Sequence, residues 1–163
     1  MRFLVALLLL TACAALPPAA AQSPRFDIFQ FFGGRTHGDG RLKILLKSSK
    51  TVTVEGRGRM DGRDTLILDQ TVTEQYSAPR ERRWRIRQDS PGLYSGTLTD
   101  AVGPVTATVD GNRLHIEFNM KDGLAAEQWL TLAPDGRSAQ NRLTVRKLGV
   151  VVATLDETIT KLD

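Results

Sequence analysis

Residues 105–120, VTATVDGNRLHIEFNM, contain two runs in which apolar and polar residues alternate, with a turn sequence between them. In the runs 105–109 and 114–120, every second residue is apolar, which is the period of a β-strand with one buried face. The residues between them, Asp110-Gly111-Asn112, favour a tight turn because Gly and Asn tolerate the positive φ that short hairpins need. The stretch therefore predicts a β-hairpin.

The same alternation recurs along the chain after residue 36 and predicts about ten strands. Turn sequences separate the runs, among them MDGRD at 60–64, DSPG at 89–92 and APDGR at 133–137. Connections this short join antiparallel neighbours, and closing the sheet removes its exposed edges. We predict an all-β domain over 36–163, an antiparallel meander of about ten strands closed or curled into a lipocalin-like barrel. A barrel of this size has room for interior side chains or one small ligand.

Residues 22–35 have a different pattern. Phe26, Phe29 and Phe32 recur at a three-residue spacing after Ser23-Pro24, which predicts a short N-terminal helix or aromatic plug. In the following stretch, FFGGRTHGDG at 31–40, two glycines have the spacing of a phosphate-binding loop, but Asp39-Gly40 stand where such a loop needs lysine and a hydroxyl. The glycines are interpreted as a bend into the first strand, with the two phenylalanines packed into one end of the barrel.

Residues 1–21, MRFLVALLLLTACAALPPAAA, are typical of a secretory signal: one basic residue, an apolar run, a proline break and small residues. Cleavage is expected between Ala21 and Gln22, and the location is expected to be the periplasm. The alternative is a lipoprotein signal ending before Cys13, which would be lipidated and would anchor the protein in the envelope. Membrane association is expected only in that case.

Composition limits the chemistry. Cys13 is the only cysteine, so the chain can form no intramolecular disulfide. The net charge of +4 is too small to indicate a nucleic-acid partner. His37 and Asp39 could be two metal ligands, but no further ligand stands at motif spacing. No G-x-S-x-G motif occurs, and neither a catalytic residue, a cofactor nor a metal is predicted.

Several residues are candidates for binding a ligand. Aromatic residues are expected either to fill the barrel or to line a cavity. Arginines at 83, 85 and 87 form a basic stripe opposite Trp84 and Ile86; it could hold an acidic headgroup, or form a solvated outer face paired with carboxylates. The candidate set is Trp84, Tyr94, His115, Phe118, Trp129, Arg83, Asn141 and Arg142.

Several motifs taken together resemble a bacterial family known as domain of unknown function 3833. They are FFGG followed by G-D-G, RRWRI at 82–86, Y-x-G-x-x-x-D-x-x-G at 94–103, the Gly111-Asn112 turn and NRLTVRKLGVVVATL from Asn141. The resemblance implies a small secreted or lipid-anchored envelope protein with a lipocalin-like barrel; some members are encoded beside genes for fatty-acid modification. It supplies no catalytic residue. Many members look like lipoproteins, whereas here the site after Ala21 competes with the Cys13 signal.

Three functions remain open. The first is binding or carrying a lipid, a fatty-acyl ligand or another apolar small molecule. The second is an accessory enzyme of lipid modification, with His115, Glu117, Asn141 and Arg142 inside the barrel. The third is a structural or assembly partner in the envelope. The sequence does not indicate the oligomeric state.

Overall fold

The computed structural model describes residues 24–163, which form one short helix, ten β-strands and a single 3-10 turn. The predicted signal segment, with Cys13 and the junction between Ala21 and Gln22, lies outside the described residues. No helix within 24–163 has the length and apolar character needed to span a bilayer. The elements are α1 (Ile28–Phe32), β1 (Gly34–Ile44), β2 (Lys50–Met60), β3 (Thr65–Glu74), β4 (Arg80–Ser90), β5 (Leu93–Leu98), β6 (Val105–Asp110), β7 (Arg113–Met120), the 3-10 turn Lys121–Gly123, β8 (Leu124–Leu132), β9 (Ser138–Lys147) and β10 (Val150–Lys161).

The strands form a closed antiparallel barrel, which confirms the predicted fold class. Each strand pairs with its neighbour in sequence, and β1 pairs with β10 to close the sheet. The closing register runs from Thr36 opposite Lys161 to Ile44 opposite Ala153. Every strand therefore has two neighbours, and each has one face toward an enclosed interior.

The hairpin predicted from residues 105–120 is present. β6 and β7 pair from Thr106 opposite Glu117 to Asp110 opposite Arg113, and Gly111 in the turn has φ of 56°. Burial alternates along both strands, with Val105, Ala107 and Val109 inward on β6. The period of two in the sequence thus corresponds directly to the two faces of the barrel wall.

Helix α1 closes one end of the barrel, which we call the closed end. The Asp27 carboxylate accepts hydrogen bonds from the backbone N–H groups of Phe29 (2.9 Å) and Gln30 (3.0 Å), so it caps the first turn. Phe31 and Phe32 are buried, which confirms their predicted packing into one end. The backbone N–H of Phe26 donates to the carbonyl oxygen of Gly111 (2.9 Å), which fixes the segment before α1 to the β6–β7 turn.

Among the turns at the opposite, open end are β1–β2 (45–49), β3–β4 (75–79) and β9–β10 (148–149). These three turns are consecutive along the edge of the barrel, because β2 pairs with β3 and β1 pairs with β10. We call them the open rim. Leu46, Tyr76 and Leu148 lie in these turns and are 98%, 95% and 95% exposed.

All three of these exposed residues have positive φ, at 62° for Leu46, 63° for Tyr76 and 49° for Leu148. The backbone N–H of Lys47 donates to the Ile44 carbonyl (3.0 Å), so Leu46 is the third residue of its turn, where positive φ favours Gly or Asn. A left-handed conformation costs an L-residue other than these about 1–2 kcal/mol. The rim thus contains large apolar residues at positions of positive φ, which favour Gly or Asn.

Replacing Leu46 with Asn should raise the free energy of unfolding by about 1 kcal/mol, because Asn adopts positive φ at lower cost. The matched control is Leu45→Asn in the same turn, since Leu45 is 52% exposed and does not have positive φ. Urea unfolding of both variants measures the difference. Equal stability changes in the two variants would contradict the assignment of backbone strain to Leu46.

Candidate ligand-binding site

The interior of the barrel contains a layer of polar side chains between two apolar clusters. One cluster surrounds α1 at the closed end, and the smaller one lies toward the open rim and contains Val52, Val54, Val72 and Leu155. Polar residues at inward strand positions separate them. We call these the polar layer, and its members are Thr36, Gln70, Arg82, Gln128, Asn141 and Glu157.

Gln70 orients the cationic part of this layer. Its carbonyl oxygen accepts two hydrogen bonds, from Arg82 Nε and from Trp84 Nε1, both at 2.8 Å. The Arg82 guanidinium carbon lies 5.7 Å from the centre of the Trp84 ring, within range of a cation–π interaction. Burial lowers the pKa of Arg82, and the negative charge of Glu157 opposes this effect. The guanidinium nevertheless stays protonated, because arginine does not deprotonate in proteins.

Glu157 and Asn141 form the acidic side of the layer. Asn141 Nδ2 donates to Glu157 Oε2 at 2.7 Å, and both residues are buried. Burial raises the pKa of Glu157 above its ordinary value, and the Asn141 hydrogen bond and the Arg82 charge oppose the rise. Asn141 Oδ1 is buried and has no hydrogen-bond partner within residues 24–163. The layer therefore offers a free acceptor next to a carboxyl group whose pKa is raised by burial.

The glycines of residues 31–40 make room for Glu157. A Cβ atom on Gly38 would overlap Glu157 Oε1, and one on Gly40 would lie 2.9 Å from Leu155 Cδ1. Both glycines are within β1 rather than in a bend, while Gly34, where the strand begins, has φ of 87°. Only the first part of the glycine-rich stretch thus has the expected bending role; the rest admits a buried carboxylate.

The polar layer borders a cavity of about 30 Å³, lined by Gln70, Arg82, Gln128, Glu157 and apolar neighbours. This volume holds one or two water molecules and is far below the 300–1,000 Å³ typical of small-molecule pockets. This cavity is therefore too small to hold a fatty-acyl chain.

The structure separates the candidate residues from the sequence into two groups. Trp84, Tyr94, Phe118 and Asn141 are buried and point inward. Within this group, Trp84 and Asn141 belong to or contact the polar layer, whereas Tyr94 packs edge-on against Phe29 near the closed end (5.8 Å between ring centres). The Trp84 and Phe118 rings meet edge-to-face at 5.7 Å.

The other candidate residues, His115, Trp129, Arg83 and Arg142, lie on the outer wall. His115 stacks on Trp129 with ring centres 3.9 Å apart. Trp129 Nε1 donates to Glu127 Oε1 at 3.1 Å, and His115 Nε2 lies 3.1 Å from the same oxygen. Hydrogen bonds from Trp129 and Arg146 lower the pKa of Glu127. These residues form a surface cluster, so they do not line the interior.

The structure does not bring together the residues of two other sites suggested by the sequence, an acid–base site and a metal site. His115, Glu117 and Arg142 face outward while Asn141 faces inward, so the four proposed acid–base residues share no site. His37 contacts Glu55 through Nδ1 (2.5 Å) and Asp39 through Nε2 (3.0 Å), which places the carboxylates on opposite edges of the ring. Residues 24–163 contain no group of three or more His, Asp or Glu placed to hold a metal.

The basic stripe lies on the outer wall, as its alternation with Trp84 and Ile86 predicted. Its arginines pair with carboxylates: Arg83 with Asp69, and Arg85 with Asp61 at 2.5 Å. Arg83 lowers the pKa of Asp69. A recess of about 510 Å³ lies above Ile67 within this ion-paired surface. The ion pairs of Arg83 and Arg85 support the interpretation of the stripe as a solvated, charge-compensated face.

Arg82, Gln70 and Glu157 are not among the predicted site residues, although the sequence contains a signal for the two charged ones. Arg82 has the same strand parity as Trp84 and Ile86, and Glu157 has the parity of Leu155 and Ile159. A charged residue on the apolar side of an alternating strand is unusual and indicates an interior polar site.

A closed antiparallel barrel with a helix across one end and a polar layer inside is a lipocalin-like barrel. Solved structures support this class at low sequence identity. An S-type phycobiliprotein lyase, CPES, from Guillardia theta has a TM-score of 0.65 at 8% identity over 83% of this chain and 90% of its own. Rv2717c from M. tuberculosis has a TM-score of 0.63 at 15% identity over 81% and 93%. A protein of unknown function from the DUF3598 family of Nostoc punctiforme PCC 73102 has a TM-score of 0.59 at 10% identity over 87% and 51%.

The chain belongs to the family described as protein of unknown function (DUF3833), whose model matches residues 7–161. No curated protein sequence is significantly similar to it. The structural likeness establishes the fold and does not transfer an activity.

Gly38→Ala should lower the free energy of unfolding by about 1–3 kcal/mol, because the added methyl group overlaps the buried Glu157 carboxylate. The loss should be smaller when the same change is made in a Glu157→Ala background, where the overlapping atoms are absent. Urea unfolding of the four proteins of this double-mutant cycle measures the coupling. Additive effects would show that Gly38 is not required to accommodate Glu157.

Glu157→Gln should stabilise the protein increasingly as the pH rises above 4.5, the ordinary value for this carboxyl group. The raised pKa means that the folded state holds a proton that the unfolded state releases, so the stability of the wild type falls until the pH passes the folded pKa. Gln cannot ionise, and the difference should then level off. A difference that does not vary between about pH 4 and pH 8 would contradict the raised pKa.

Proposed function

We propose that the protein binds a small amphipathic molecule with an anionic group, such as a fatty acid, at the open half of the barrel. The observation that supports this most directly is Arg82, a cation at an inward strand position that remains partly exposed. Within residues 24–163, its hydrogen bonding goes through Nε alone. The terminal amino groups are therefore available for the fork geometry that binds carboxylates.

The surroundings of Arg82 suit a ligand of this class. Aliphatic residues lie between the polar layer and the open rim, and Leu42, Ile44 and Leu143 among them are partly exposed. The anionic group would meet Arg82, and the apolar part would lie against these residues at the mouth. Because the interior cavity is about 30 Å³, the chain of the ligand is held at the mouth and is not enclosed.

The location we propose is the bacterial envelope, with export directed by residues 1–21. The basis is the sequence of that segment, which combines Arg2, an apolar run and a proline break before small residues. Such a location would give the open half of the barrel access to fatty acids and lipids.

The fold comparison is consistent with a binding role. The S-type phycobiliprotein lyase shares the barrel and, by its name, acts on a phycobiliprotein, which shows that this architecture can serve a specific recognition task. An enzymatic role for the present chain has less support, because the four acid–base candidates share no site.

Binding can be tested by calorimetry with carboxylates of increasing chain length and with the corresponding alcohols. Arg82→Gln should weaken carboxylate binding about tenfold or more and leave alcohol binding nearly unchanged, since it removes a charge-assisted hydrogen bond. Arg83→Gln is the matched control, because Arg83 is the neighbouring residue on the outer wall.

The double variant Arg82→Gln/Glu157→Gln removes the ionisable group of both residues and protects the test against loss of folding caused by a buried, unpaired Glu157. It should show the same selective loss of carboxylate binding. The proposal is wrong if the wild type binds no member of the series, or if Arg82→Gln binds carboxylates as well as the wild type does.

A further inference from the structure

The open rim concentrates exposed apolar side chains at one end of the molecule. Among the described residues, six of the ten large apolar side chains that are exposed lie in its turns or directly after them. They are Leu45, Leu46, Tyr76, Leu148, Val150 and Val151. An apolar group of this kind on one face marks an interaction surface.

The three turns of the rim form one continuous edge. The backbone N–H of Leu45 donates to the Val152 carbonyl (2.8 Å), which joins the β1–β2 turn to β10. The backbone N–H of Gln75 donates to the Thr51 carbonyl (2.9 Å), which joins the β3–β4 turn to β2. Leu46, Tyr76 and Leu148 are thus held on neighbouring turns, each almost fully exposed.

The backbone conformation gives independent support. Leu148 and Gly149 both have positive φ, at 49° and 81°, as in the two-residue hairpin turn that favours Asn-Gly. Leu46 and Tyr76 each occupy the third position of a turn that favours Gly or Asn. Large apolar residues at all three positions run against local preference, and residues in strained backbone conformations cluster at functional sites.

The charged residues around the rim indicate the chemistry of the partner. Lysines flank the apolar tips: Lys43 and Lys47 at the β1–β2 turn and Lys147 beside Leu148, all exposed. None of these three lysines forms an ion pair within the part of the chain that the structure describes. The turns 45–49, 75–79 and 148–149 contain no acidic residue. Apolar tips among unpaired lysines are suited to an interface that is apolar inside and negatively charged at its surface.

We propose that the open rim docks on an anionic lipid bilayer, with Leu46, Tyr76 and Leu148 inserted at the level of the headgroups and the lysines against lipid phosphates. Tyrosine is enriched at this depth because its ring is apolar and its hydroxyl group is polar. Docking in this orientation turns the mouth of the barrel toward the membrane. The contact does not involve lipidation of Cys13, and it does not depend on a ligand at Arg82.

The test places a tryptophan on the rim and measures quenching by brominated lipids. The purified protein is mixed with vesicles of phosphatidylcholine alone or of phosphatidylcholine with phosphatidylglycerol. On the anionic vesicles, the fluorescence of the Leu46→Trp variant should be quenched more than that of the wild type, which reports only Trp84 and Trp129. Added salt should reduce this difference. Leu93→Trp is the matched control, because Leu93 is 51% exposed and lies near the closed end.

A second set of variants measures affinity by vesicle co-sedimentation. The affinity for anionic vesicles should fall about tenfold or more in the triple rim variant Leu46→Asn/Tyr76→Asn/Leu148→Asn. The reason is that three apolar side chains no longer leave water on binding. Met60→Asn/Leu93→Asn/Leu162→Asn removes the same number of exposed apolar residues away from the rim and should bind as the wild type does. Residues 1–23 are the same in every variant, so their contribution to binding is common to all.

Circular dichroism checks that the triple rim variant keeps its fold, which Asn at positive φ should favour. The proposal fails if the tryptophan introduced by Leu46→Trp is not quenched on anionic vesicles, or if the triple rim variant binds them as tightly as the wild type. It also fails if the emission of this introduced tryptophan shifts with protein concentration in the absence of lipid, since the rim would then be a contact between copies of the chain.

Discussion

Pairing between the first and last strands is the constraint on which the rest of the structure depends. β1 and β10 meet in register from Thr36 opposite Lys161 to Ile44 opposite Ala153. This pairing satisfies the backbone groups of the two edges that a ten-strand meander would otherwise expose. It also gives the barrel an inside, and an inside is what makes a buried Glu157 or an inward Arg82 chemically significant.

The glycine-rich sequence of β1 and the charge on β10 are two parts of one arrangement. Glu157 is inward on β10, and its carboxylate crosses Gly38 on β1, where any side chain would be in the way. Burial then raises the pKa of this carboxyl group, while Arg82 and Asn141 limit the rise. The seam that closes the barrel therefore also carries a buried ionisable group, which lies between the two apolar clusters.

The fold was predictable from the sequence because local patterns of alternation and turn residues determine its strands and turns. The alternation at 105–120 and the turn at Gly111 determine which residues face inward without knowledge of distant contacts. The site was less predictable, since it depends on which strands become neighbours around the barrel. The sequence predicts Trp129 as a residue that fills or lines the barrel because aromatic residues are usually buried, yet Trp129 shares the outward parity of Glu127. Arg82 is not among the predicted site residues despite its inward parity, and Gln70 can be connected to it only through the register of β3 and β4.

Native-state hydrogen exchange of the backbone amides in β1 and β10 tests the closure of the barrel most directly. The account predicts that amides between Thr36 and Ile44, and those opposite them on β10, exchange as slowly as amides in the β2–β3 pair, because all of these are interior ladder bonds of one closed sheet. Markedly faster exchange confined to β1 and β10 would show an open, curled sheet. In that case the enclosed interior that buries Glu157 would have to be abandoned.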